Sequence, residues 1–205
     1  MKQGFLNSIA AAGMVVFTFA ACNNPQDKDA YDNNSDGVVN TTTDKDQADL
    51  AEDHNDAKFD QAQEKDAQFA VDAAVIHLRE IEASNIAVTR SANADVKALA
   101  QTMVADHRKA MDELSSLTGK KNITIPSSLS EDEAKKANKL RDEKDNFDKK
   151  YNDMLVDEHK KAIDKFEKAS TDCQDADLRA WAGKMLPSLR HHLDMAMALR
   201  DRMKS

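Results

Sequence analysis

From residue 58 to the end of the chain, only Gly119, Pro126, Gly183 and Pro187 interrupt a sequence dominated by Ala, Leu, Met, Lys, Asp and Glu. Turns draw on Gly and Pro, so a segment this poor in both folds as long helices with few connections. Apolar residues recur every three to four positions, and no window alternates as a strand does apart from the short Ile123-Thr124-Ile125. The pattern predicts long helices over about 59–91, 93–119, 146–170 and 176–203. Ser130–Glu133, "SEDE", is a capping box that opens a further short helix running to about residue 144.

Four amphipathic helices of about 25 residues fit one all-α domain of about 150 residues. The connection between the second and third long helices has room for an extended piece and the short helix, laid along the bundle. A long crossover at that place is the connectivity of a ferritin-like four-helix bundle. A faint internal echo between Val96–Val104 and Leu178–Leu186 fits two related hairpins.

Placing side chains at about 100° per residue gives each long helix one inward stripe. The stripes are Phe69, Ala73, Ile76, Glu80, Ser84 and Ala87; then Val96, Ala100, Met103, His107, Met111 and Leu114. On the third helix they are Asn152, Leu155, His159, Ile163 and Phe166; on the fourth Leu178, Trp181, Met185, Leu189, His192, Ala196 and Leu199. Glu80, His107, His159 and His192 lie near the middle of their stripes. His191 points elsewhere, and His77 sits one turn from Glu80 on the flank. At about 1.5 Å per residue, Glu80, His107 and His159 fall about 20 Å from a helix end, while His192 falls about one turn off that level. Pro187 offers a kink that would correct the offset.

A buried Glu is costly unless paired. Three imidazoles around one carboxylate satisfy it either by hydrogen bonds, as a structural network, or by jointly holding a single zinc, copper or iron ion. The candidate metal ligands are therefore Glu80, His107, His159 and His192, with His77 as an additional one. A di-iron centre is not expected, because that site needs about four carboxylates and Glu-x-x-His motifs, and the chain has no Glu-x-x-His. The methionines suit Cu(I), but at helical spacing they are more often plain core packing.

The first 57 residues read differently. Ile9–Ala20 is an apolar run of signal-peptide length, and "FAAC", Phe19–Cys22, has small residues before a cysteine, as in a bacterial lipobox. Residues 1–22 are expected to be a lipoprotein signal peptide, with Cys22 lipidated. Residues 23–57 are expected to be a disordered acidic tether to a bundle over 58–205: residues 27–56 hold ten acids and two bases. Within the tether, Asp32, Asn34 and Asp36 match the spacing of a calcium loop, but Thr43 replaces its bidentate Glu. The remaining 27 acids and 26 bases leave residues 57–205 near neutral, without the basic run that nucleic acid requires. If Cys22 is lipidated, Cys173 has no partner within the chain.

The blocks "LREIEASNIA", "VKALAQTMVADH", "FDKKYNDMLVDEH" and "LRAWAGKMLPSLRHHL" resemble, in order, those of the bacterial family called domain of unknown function 4142. The likeness covers about residues 66–200 and rests on Asp106–His107, Phe147–Asp148, His159 and Leu186–Pro187 with His192. It implies an exported or lipid-anchored protein with a ferritin-like helical fold, and it places Glu80, His107, His159 and His192 at motif positions. It implies no reaction. The chain has no Ser-His-Asp order, Gly-rich phosphate loop or activated cysteine, so a non-catalytic role is expected. Two roles stay open: a cell-envelope lipoprotein that binds one metal ion or small ligand, and a structural or interaction lipoprotein whose Glu/His network only fixes packing. The lipid anchor points to the outer membrane, on its periplasmic face or the cell surface.

Overall fold

The computed structural model describes residues 46–204. The apolar N-terminal run, Cys22 and the calcium-like positions Asp32, Asn34 and Asp36 lie outside the described residues. Six helices follow one another: α1 Gln47–Asp56, α2 Gln61–Arg90, α3 Ala94–Lys120, α4 Glu131–Arg141, α5 Phe147–Asp172 and α6 Ala176–Arg202. Among the described residues there is no strand, and no helix is long and apolar enough to cross a membrane.

Side-chain caps set the starts of most helices. Asp60 forms a capping box with Gln63, and Asn93, Ser130 and Asp175 each accept from backbone N–H groups of the following turn. Asn122 and Asn146 adopt positive φ at either side of the α3–α5 connection, a conformation that Asn tolerates better than most residues. Pro187 lies inside α6, which continues through it.

The four long helices pack as two hairpins, α2 with α3 and α5 with α6. Polar contacts fix their directions. Asp66, early in α2, accepts from the N–H groups of Gln174 and Asp175 just past α5, whereas Ser84, late in α2, meets Tyr151 early in α5. Lys121, at the end of α3, reaches Asp175 and Asp177 at the start of α6. Each long helix is thus antiparallel to its neighbours, and α3 must run parallel to α5. The chain therefore has to travel back along the helices between them, and α4 makes that passage. Arg79 holds α4 and α5 through Glu133 and Glu158 at 2.7 Å each, and Arg141 reaches Glu82 at 2.5 Å.

One expectation fails at residues 46–57. The acidic tether was expected to run to residue 57, yet Gln47–Asp56 is helical, capped by Asp46. Its anchor is polar. Asn55 is buried and pairs twice with the Thr124 backbone, donating from Nδ2 at 2.9 Å and accepting at Oδ1 at 2.8 Å. Gln47 accepts from Ser127 and Ser128. Ala51 is its one buried apolar residue. Ile123 and Ile125 pack onto the core as a loop, so the strand-like tripeptide serves as the seat for α1.

The core is divided in two. Phe69, Leu114, Phe166, Leu178, Trp181 and Leu189 belong to one apolar cluster, and Ile86, Val96, Met103, Tyr151, Leu155 and Leu199 to the other. In sequence, His77 and Glu80 on α2, His107 on α3, His159 on α5 and His192 on α6 all fall between the two clusters, and all five are buried.

Candidate metal centre

His107, His159 and His192 meet in this middle layer. One nitrogen of each ring lies within 4.8 Å of the others', and ring centroids are 5.3–5.5 Å apart. The offset expected for His192 closes without a break at Pro187. Counted from the junction of α3 and α6, His107 stands about 20 Å along and His192 about 24 Å. Side chains tilt toward the N-terminus of their own helix. On antiparallel helices that tilt points His107 and His192 toward each other.

Each of the three rings has one nitrogen engaged. His159 Nδ1 meets the Leu155 carbonyl at 2.9 Å. His192 Nε2 meets Asp106 Oδ2 at 2.9 Å, with Ser188 Oγ at 3.5 Å. His107 Nδ1 meets His77 Nδ1 at 3.0 Å. A carbonyl and a carboxylate can only accept, so His159 carries its proton on Nδ1 and His192 on Nε2. That leaves a lone pair on His159 Nε2 and on His192 Nδ1. Both nitrogens are buried without a protein partner, as is His107 Nε2. When His107 donates to His77, its Nε2 is a third lone pair.

Electrostatics keep the rings neutral. Burial lowers His77 and His159 to about 4, with neighbouring imidazoles adding to the effect. Burial, then the other three imidazoles, holds His107 well below its ordinary value. Burial lowers His192 too, against the opposing pull of Asp106. Glu80 goes the other way: burial, with Glu158 nearby, raises its carboxyl to about 8. Glu80 Oε1 lies 3.5 Å from His159 Nδ1. With the acid's affinity for protons raised and the imidazole's lowered, this is a contact between neutral groups at pH 7, not an ion pair.

The five residues expected at the site thus divide into three roles. His107, His159 and His192 turn nitrogens toward one point. Glu80 stands behind His159, against the nitrogen that faces away, and its Oε2 has no protein partner. His77, placed on the flank by the sequence reading, is fully inside and supports His107, with Phe166 and Trp181 edge-on to its ring. Asp106 was not anticipated as a partner of His192. Its side chain is 47% exposed, so stripe reasoning passes over it, although its place beside His107 was visible. Tyr151 donates to or accepts from Ser84 at 2.9 Å in a second polar contact nearby, and burial raises its phenol above the ordinary range.

Three neutral imidazoles with supported back nitrogens are the donor set of many metal sites, and these three buried histidines could hold a metal ion. Metal–nitrogen bonds of about 2.0–2.1 Å in tetrahedral geometry need nitrogens about 3.3 Å apart. The rings would have to close by at most about 1.5 Å, within the reach of small side-chain torsions.

Among solved structures, the crystal structure of a DUF305 fragment from Deinococcus radiodurans is similar, with a TM-score of 0.59 at 13% identity. The match covers 67% of this chain and 96% of that one, and at that identity it shows the helical fold alone. No curated protein matches the chain. A family model described as a domain of unknown function matches residues 41–199, which include α1 and every residue of the central layer; the chain belongs to this family, DUF4142.

Proposed function

We propose that this chain is a lipid-anchored cell-envelope protein, a ferritin-like four-helix bundle with α4 in its crossover, that holds one transition-metal ion on His107, His159 and His192. The observation that carries the metal reading is three buried histidines with one nitrogen each within 4.8 Å of the others', every ring also holding a buried nitrogen without a protein partner. A hydrogen-bonded network satisfies its own members. Here two tautomers are forced by a carbonyl and a carboxylate. When His107 donates to His77, three lone pairs result, and a single water has only two hydrogens for them, whereas a cation satisfies all three. Imidazole donors suit zinc, copper and iron alike. The anchor and the outer-membrane location rest on the apolar run and the small residues before Cys22.

The test is elemental analysis of protein purified without a histidine tag, after dialysis against each metal. One equivalent is expected, and His107→Ala, His159→Ala and His192→Ala should each abolish it. Sub-stoichiometric metal, or binding that survives all three substitutions, would instead favour the packing role.

A further inference from the structure

A cleft of about 210 Å³ runs between α3 and α6 and reaches this layer, with His77, His107, His192 and Ser188 along its wall. Lys109 and Lys184 line it as well; both are exposed, and Lys184 pairs with Glu113 at 2.8 Å. His159 approaches His107 and His192 from α5, which contributes nothing to the cleft.

Resting on the metal reading above, we infer that a small anion enters through this cleft and binds the ion directly. Three imidazoles fill three positions and leave a tetrahedral ion one short. They also bring no charge. A divalent ion in this layer would be a buried dication with no anionic ligand, and buried charge demands compensation. The nearby carboxyl groups do not supply it: Glu80 lies behind His159, against the nitrogen turned away from the centre, and Asp106 already accepts from the outer nitrogen of His192. A small anion fits this space with room to spare and would supply the missing charge. The ammonium groups of Lys109 and Lys184 stand along its path beside the carboxylates of Asp106 and Glu113, which engage His192 and Lys184.

The test loads the full chain with Co²⁺ and titrates it with sodium azide, following the visible cobalt bands. A saturable change of the bands is expected. In Ala110→Phe, which fills the cleft wall, azide affinity should fall at least about tenfold on steric grounds while one equivalent of cobalt remains. Lys109→Glu with Lys184→Glu, both exposed, should weaken azide several-fold at low ionic strength, and the difference should shrink near 1 M salt. Bound cobalt whose bands ignore azide overturns the inference and leaves the metal reading intact. An azide response equally strong in all variants overturns the cleft as the route. Failure to bind cobalt or any other first-row metal removes the metal reading itself and this inference with it.

Discussion

Replacing Glu80 by glutamine should stabilise the metal-free protein in alkali far more than in acid. The carboxyl is buried, and its proton is held from an ordinary 4.5 up to about 8. Below about pH 4.5 the acid is neutral in both folded and unfolded chains and costs nothing extra. As pH rises, the unfolded chain loses the proton first, so wild-type stability falls until the folded carboxyl ionises near pH 8. At about 1.4 kcal/mol per tenfold change in proton affinity, the loss is on the order of 3–5 kcal/mol. Glutamine keeps the shape and cannot ionise, so it escapes that loss. The assay is urea unfolding with chelator present, at pH 5 and pH 8.5, for both proteins. The amide's own hydrogen-bonding deficit is the same at both pH values, so the change in the difference between proteins is the readout. A difference that stays constant within about 1 kcal/mol, or a variant that loses ground in alkali, would refute the placement of an uncompensated carboxyl in this layer.

His77→Phe should weaken metal binding by about 10- to 100-fold, the usual cost of losing a partner behind a ligand. His77→Asn, whose oxygen can still accept from His107 Nδ1, should recover most of it; equal losses would mean that His77 only fills space. In metal-free protein His77 and His159 protonate near pH 4 rather than 6.5, so the unfolded chain takes protons first. Stability should fall as pH drops from about 6.5 to about 4, by up to roughly 3 kcal/mol per ring, and circular dichroism melts across that window should show it. Asn55→Ala strands the Thr124 N–H and should cost about 1–3 kcal/mol, whereas a tether residue would cost nothing.

The long helices were legible because their stripes are regular and their breakers few; the predicted and observed limits of α3 and α6 differ by a residue or so. The central histidines were legible because each interrupts a mostly apolar stripe. His77 was named as an additional candidate but placed on the flank, because α2 buries a broad face rich in alanine, including Ala70, Ala73 and Ala74. A stripe drawn through the partly exposed Ile76 therefore sets the adjacent, fully buried ring to one side. Glu80 was assigned to the ion from its face alone. Which atom of His159 it meets depends on ring orientation, which the Leu155 carbonyl sets and sequence does not encode. Helix α1 escaped notice because hydropathy measures apolar burial, and α1 is held by amides. Its one early signal was Asp46 ahead of Gln47, a capping residue before a run of helix formers.

The three inward rings are shared unevenly between the hairpins: His107 belongs to the first, His159 and His192 to the second. Neither half of the chain can therefore trap an ion alone, and 84 positions separate the outer two. An ion held as proposed would be captured only after the halves dock, late in folding, once loop-closure entropy has already been overcome. A newly made chain would complete the three-ring set only when its last helix was seated. Once seated, the ion would act as a rivet, so that its escape and the parting of the two halves become one event.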